Sequence, residues 1–437
     1  MTNELQQTPD KGIIEFSVSN NSVTHLGRNL YSTTPPALAE LVANSYDAYA
    51  TQVDITIHNG KDGGCVIIAD NGKGMAINDI KSRYALIGKK KVVEDPIDDI
   101  PERKPMGKKG IGKLAAFSIG ENYTVYTKTI NDNSWKKFTL RYNAMIDKND
   151  DKYPVEFTSV KILPDNLTQF RDYSHGFIVT IEGLGRKALC KTYENIKSQL
   201  SRRFYVASEA SKFNLRMNGE IICLSANDYY KDLEYVVYFG TEENEINAIF
   251  PTDGIVKEKY SMKKDIIAYI EENDITGWIG SVSKPSQLKK VGDDYTNIIV
   301  YINNKIADED ILKNRGDSRL ANQYIVGEIQ ANFFDNEDFD PITSSRQGLD
   351  DSVEEVNSFI DNIEAIKNHV VKRWDEIRKE NAVQSLPERI RANESYMNWL
   401  SGLTKEQKII NNKLLSLLAP KLDDETDLDH ESVESMV

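Results

Sequence analysis

Cysteine is scarce: Cys65, Cys190 and Cys223 are the only three in 437 residues, far apart and in no Cys-x-x-Cys pair. That excludes a disulfide framework and a zinc site, and leaves each as a small apolar side chain. There is no run of about eighteen apolar residues of the kind that crosses a bilayer, and the polar start, Met1 to Asp10, carries no secretory pattern. A cytoplasmic protein with no membrane partner is the expectation. A basic excess is missing too. Asp and Glu outnumber Lys and Arg by 68 to 54, giving a net charge of −14 and a pI near 5.1. Bulk charge therefore excludes a chain that coats nucleic acid, while a local basic groove stays open. What is present is ordinary: 40% hydrophobic and 28% charged residues can build two or three cores at this length.

Against that background Ala39-Glu-Leu-Val-Ala-Asn-Ser-Tyr-Asp-Ala48 stands out. On a helix, Glu40, Asn44 and Asp47 fall at i, i+4 and i+7 and share one stripe, which is either solvated or lines a site. Thr33-Thr-Pro-Pro36 suits the start of that helix, expected over 37–50. Gln52–His58 alternates apolar and polar as a half-buried strand and, across a tight turn, Cys65–Ala69 is a second strand. It runs into Asp70-Asn-Gly-Lys-Gly-Met75, where Gly72 and Gly74 either let a ligand approach the backbone or make an ordinary turn. Residues 79–105, rich in Pro and Lys, have the length of a lid. Then Gly107-Lys-Lys-Gly-Ile-Gly-Lys113 precedes the apolar Leu114–Ile119. Free amides at such a helix start make an anion site, although no Gly-Lys-Ser/Thr ends the loop as in a Walker motif.

Further strands are expected at 123–127, 135–140 and 177–181, a helix at 189–209, and a domain boundary near 208–212. A second β-rich section has its clearest strands at 248–250, 276–281 and 297–302. Val353, Val356, Ile360, Ile363, Val370, Trp374 and Ile377 repeat at three and four, the seam of a long helix that needs a partner, in this chain or another. Pro387 interrupts it, Thr404-Lys-Glu-Gln407 is a capping box, and Asp423–Val437 is acidic and expected to be disordered.

In order and spacing, Glu40-x-x-x-Asn44-x-x-Asp47, Asp70-x-Gly72-x-Gly74 and Gly107-x-x-Gly110-x-Gly112 resemble the nucleotide site of the GHKL ATPases, the superfamily of gyrase, the heat-shock chaperone, histidine kinases and MutL. The resemblance is tightest over 37–120. It implies an α+β protein: a Bergerat-type α/β sandwich over 1–210, with helices on a mixed, mostly antiparallel sheet, an N-terminal arm and a lid over about 79–113. A transducer-like α/β domain over 211–350, a helical region over 351–420 and the tail at 421–437 follow.

The resemblance also implies ATP and Mg²⁺ as ligands. Asp70 accepts a hydrogen bond from the adenine amino group, Gly72, Gly74 and Met75 lie by the base, and Asn44 offers its amide oxygen to the metal. Glu40 activates the attacking water, Asp47 serves the base pocket or supports the metal, and Lys108, Gly110, Ile111, Gly112 and Lys113 hold the phosphates as the lid closes. Tyr301-Ile-Asn-Asn-Lys305 and Asp340–Gly348 are similar to the transducer of the chaperone and MORC branches, which places Arg346 at the γ-phosphate; a surface salt bridge is its ordinary alternative. Where relatives carry Gly-Thr by the base, the matching place reads Gly176-Phe177, so that contact either slips to Thr180 or is absent. His25, His58, His175, His369 and His430 lack a phosphoacceptor context and are expected to be structural or surface residues. The expectation is an ATP-driven homodimer in nucleic-acid handling or anti-phage defence, with an effector bound through its C-terminal helices. An ATP-switched scaffold and a chaperone-like ATPase are the alternatives.

Overall fold

A computed structural model describes residues 11–18, 23–28, 30–31, 33–58, 64–88, 95–97, 99–107, 110, 112–147, 152–185, 193–204, 212–222, 229–251, 254–290, 293–313, 315, 320–335, 341, 348–382, 394–404, 406–408 and 410–411. Among these, a nine-stranded sheet has the order β1-β6-β5-β4-β7-β3-β2-β8-β9. Its strands are β1 (Lys11–Ser17), β2 (Gln52–His58), β3 (Cys65–Asp70), β4 (Gly120–Lys128), β5 (Trp135–Arg141), β6 (Lys152–Val160), β7 (Gly176–Leu184), β8 (Asn214–Met217) and β9 (Glu220–Ile222). All neighbours are antiparallel except β2 and β8. Strand β3 reads as an unbroken apolar run because both of its faces are covered. Val66 and Ile68 enter the main core, while Ile67 and Ala69 meet Leu167 and Phe170 of a short helical turn on the opposite face.

The main core lies between this sheet and helices α1 (Thr34–Asp47) and α2 (Tyr193–Ser201), with the helical turn Gly112–Ser118 beside α1. Helix α1 starts earlier than 37 because Pro35 and Pro36 fit its first turn, where an N–H has no partner in any case. Within the N-terminal arm, Lys11–Ser17 is paired along its length with β6 of the same chain. Residues of the expected lid also fold locally, as a helical segment over Ile77–Asp79 and Ile80–Tyr84, with Ile80 fully buried.

The boundary expected at 208–212 falls too early. Phe213, Leu215, Met217 and Ile222 belong to the first core because β8 extends the first sheet beside β2, whereas the second core begins at Tyr229. The second sheet has the order β11-β10-β12-β17-β15-β16, built from β10 (Leu233–Phe239), β11 (Val256–Lys259), β12 (Thr276–Val282), β15 (Ile298–Ile302), β16 (Lys305–Asp308) and β17 (Ile325–Gln330). A ribbon of β13 (Lys289–Lys290) and β14 (Asp293–Asp294) stands apart. The strand expected at Ala248–Phe250 is instead the end of helix α3 (Glu243–Ile249), where only Ile246 is buried; an apolar triplet carries too little periodicity to tell the two apart. Helix α4 (Lys264–Glu272) buries Ile266 and Ile270 in the same core.

The long helix α5 (Glu354–Ala382) carries the seam, and its partner is internal. Val356, Phe359, Ile360, Ile363, Ile366, Val370 and Trp374 are buried in the second core, against β10 and β12. The seam therefore supplies no surface for a second subunit. A further helix, α6 (Glu394–Gly402), is followed by the expected capping box: Thr404 N donates to Gln407 and Gln407 N to the Thr404 hydroxyl. Pro387 and the acidic tail lie outside the described residues. No helix among those described is long and apolar enough to cross a membrane.

Internal packing of α5 makes a measurable demand. Phe359→Ala empties a fully buried ring position, and urea denaturation should show a loss of about 3–5 kcal/mol. Sedimentation should be unaltered; a changed oligomeric state at unchanged stability would contradict this packing.

Candidate functional site

Helix α1 buries Glu40 and Asp47 and half-buries Asn44 on one stripe. The glycine loop runs along that stripe in the opposite direction. At one end Asp47 takes the Met106 and Gly107 N–H groups, at 2.8 and 3.2 Å. At the other end Gly112 lies so close that a Cβ there would stand 2.8 Å from Glu40 Oε2 and 3.8 Å from Asn44 Nδ2. Gly110 between them has φ +62, a conformation glycine adopts without strain. At Gly112 the chain thus presents backbone where a side chain would meet the stripe. Asp47 has a task of its own here: it anchors the start of the loop.

Asp70, at the end of β3, forms the second wall. Its side chain is 3% exposed, with Oδ2 accepting from the Ser45 hydroxyl at 2.7 Å and Oδ1 from Gly72 N at 2.9 Å. Burial pushes its carboxyl up to about 6, opposed by hydrogen bonds from Ser45, Gly72 and the Phe177 backbone and by the nearby His175. Asn71 ties the turn to β2 through the Thr51 and Gln52 N–H groups. Gly74, at φ +65, packs so tightly on the Lys128 carbonyl that a Cβ would come within 2.1 Å of it, and Met75 N donates to the buried Thr127 hydroxyl. His175 Nδ1 lies 2.7 Å from the Gly72 carbonyl, a structural role that the sequence allowed for.

Phe177 pairs with Asp70 across the strands and stacks near Tyr84, whereas Thr180 faces Ile67 in the register, three residues further along β7. At about 3.3 Å per residue Thr180 sits roughly 10 Å along the strand from the Asp70 pair.

The Lys113 ammonium donates to the carbonyls of Tyr84 at 2.7 Å and Leu86 at 3.0 Å, fastening the preceding helical segment. Arg346 lies outside the described residues, as do Lys108 and Ile111. The cation that the structure does bring to the stripe is Lys305, at the start of β16 in the second domain, with Nζ 2.7 Å from Glu40 Oε1. The two side chains are 13% and 9% exposed, so the pair is largely desolvated. Sequence separation hid this contact, and the turn residues Asn303 and Asn304 before Lys305 were the available signal: both take positive φ, which a tight hairpin needs. Ser45 was missed as well, although a Ser one position past Asn44 necessarily points to an adjoining side of the helix.

No group of three or more His, Cys, Asp or Glu among the described residues could hold a metal by itself. Asn44, beside an exposed-backbone glycine loop, fits an ion whose other ligands are phosphate oxygens and water. Asp70, whose two oxygens take Ser45, Gly72 N and the Phe177 backbone, keeps a lone pair for a ligand amine.

A folded-state carboxyl raised above its unfolded value makes a contribution that is complete below about pH 4 and is lost as pH rises through about 6. Ser45→Ala removes a donor that stabilises the carboxylate. It should move the Asp70 titration above about 6, read from the side-chain carboxyl ¹³C shift; an unchanged titration would remove Ser45 from this role.

Residues 31–176 match the family described as histidine kinase-, DNA gyrase B- and HSP90-like ATPases. Over 396 residues the chain is 28% identical to a protein described as "Putative type II restriction enzyme HgiDII", from Herpetosiphon aurantiacus. That alignment covers 90% of this chain and 61% of the relative, so the chain spans about three-fifths of the relative's length. The polar stripe of α1, Asp70 and the loop that begins at Gly107 all fall within residues 31–176, the segment similar to the histidine kinase-, DNA gyrase B- and HSP90-like ATPases.

Proposed function

We propose that this chain binds Mg-ATP between the α1 stripe and the glycine loop and hydrolyses it with Glu40 as the base. The observation that carries the reading is the close approach of Gly112 to both Glu40 and Asn44, with Asp70 held in a buried, donor-lined position on the adjoining wall. Asp70 takes the adenine amino group, and Gly72 and Gly74 allow the close-packed turn beside it. Asn44 holds Mg²⁺, which neutralises charge on the phosphate oxygens when bound. Glu40 takes a proton from a water attacking the terminal phosphorus, the bond to the ADP oxygen breaks, and inorganic phosphate leaves.

Lys305 enters this scheme through its pairing with Glu40. A terminal phosphate carries more charge than one carboxylate and competes for the ammonium. Its transfer frees Glu40 for water and signals nucleotide to the second domain. Lid closure over the loop and association of two heads belong to the proposal on the strength of the resemblance, since the α5 seam is filled from within. The name of the restriction-enzyme relative supports a setting in nucleic-acid restriction or defence.

Glu40→Ala should reduce steady-state phosphate release by about a hundredfold or more while ATP affinity stays within a few-fold. Retained turnover would remove Glu40 as the base. ATP affinity should also weaken as pH falls through about 6, as the Asp70 carboxylate is protonated. In a phosphate-release assay, duplex DNA should stimulate turnover in a salt-sensitive way, and no response at any salt would discard the nucleic-acid setting.

A further inference from the structure

The glycine loop has a fixed point of departure, and that fixing centres on Arg103. Between Pro101 and Pro105 the chain lies as a strap against the C-terminal end of α1, and the Arg103 residue is 4% exposed. Its Nη1 donates to the carbonyls of Tyr46 at 2.9 Å and Ala50 at 2.8 Å, two acceptors at the end of the helix. The rings of Tyr46, Phe213 and Tyr49 stand around the guanidinium at 4.4, 5.4 and 5.6 Å. Carbonyls at a helix C-terminus and ring faces both favour a cation. Burying that charge is costly nonetheless, and a neutral side chain could pack between three rings at lower cost. What the cation does that an apolar residue cannot is to fix the strap at one height along α1.

The next residues carry that register into the site. Pro105 O accepts from Asn303 Nδ2 of the second-domain hairpin at 3.3 Å, and the N–H groups of Met106 and Gly107 end on Asp47. Three residues therefore connect a buried guanidinium to the first glycine of the loop, and the loop's far end, Gly112, lies against Glu40 and Asn44. A strap displaced by one residue would shift the loop amides by about 3.3 Å, beyond hydrogen-bond tolerance. Asp47, on the same helix, repeats the fixing from the other side of the strap.

We propose that Arg103 is a positioning residue for the phosphate groups of the nucleotide, acting through the strap and not by contact, so that the amides of the loop meet a triphosphate without reorganisation. This rests on the reading of the site as an ATP site. The base side, formed by Asp70 and the glycines after β3, has its own side-chain ties in Ser45 and Asn71.

The test compares ATP with adenosine, which lacks phosphates, on the full chain and two variants. Arg103→Lys keeps the charge and loses the paired carbonyl geometry. Met106→Pro leaves the buried guanidinium untouched and deletes one N–H to Asp47. Both variants should weaken ATP by about tenfold, the value of one charged hydrogen bond, and leave adenosine affinity unchanged by ligand-observed NMR. Equal weakening of both ligands in a variant that still melts cooperatively would make Arg103 a general stabiliser and overturn the proposal, as would unchanged ATP affinity in either variant. If the unaltered chain binds adenosine and no ATP, the ATP reading itself fails, a result separate from the behaviour of the variants.

Discussion

Three buried carboxylates around one helix set the terms for the rest of this fold. Glu40 is 7% exposed, Asp47 6% and Asp70 3%, and a carboxylate taken out of water must find donors or lose its charge. Each finds them in a different part of the chain. Glu40 draws Lys305 from the second domain, Asp47 draws the backbone at 106–107, and Asp70 draws Ser45 from the helix and Gly72 from its own turn. Satisfying these groups brings together the walls of the site, and the same bonds hold the second domain in place. A site assembled in this way is polar and glycine-lined at its centre, and its walls are braced from behind by apolar packing.

The contact between domains has the same character. Asn303, Asn304 and Lys305 form the tip of the β15–β16 hairpin and reach, in turn, the Pro105 carbonyl, the Tyr46 hydroxyl and Glu40. Behind the tip, Lys305 bridges to Phe204 and Ile306 N donates to the Arg203 carbonyl, so the hairpin is also stitched to the segment that follows α2. A rearrangement at Glu40 therefore reaches the second sheet through one strand, β16, whose other end is anchored by Asp308 accepting the Leu349 N–H. A single short element with both ends bonded can carry a displacement that a packed apolar interface would absorb.

Local features were legible in the sequence, distant pairings were not. The stripe at 40, 44 and 47, the strand into Asp70 and the glycine run from 107 each reside within a dozen residues, where period and turn chemistry act. Lys305 is 265 positions from Glu40, and nothing in the local pattern of either residue marks the other. Lys113 is a related case: a positive charge next to glycines suggests phosphate, and nothing local marks the three carbonyls at the end of a neighbouring helical segment that accept from it. The α5 seam was read correctly as apolar, but period alone names no partner, and β10 and β12 supplied one within the chain. Arg103 gave no signal because a lone basic residue between prolines is usually a solvated one.

The central claim is that nucleotide enters between α1 and the glycine loop and takes Lys305 from Glu40. A structure of the Glu40→Gln chain with Mg-ATP tests it most directly. The account predicts adenine on Asp70, the metal on Asn44, loop amides on the phosphates, and Lys305 on a terminal phosphate oxygen, no longer at residue 40. Nucleotide bound away from α1, or Lys305 still at residue 40 beside a fully ordered triphosphate, would contradict it.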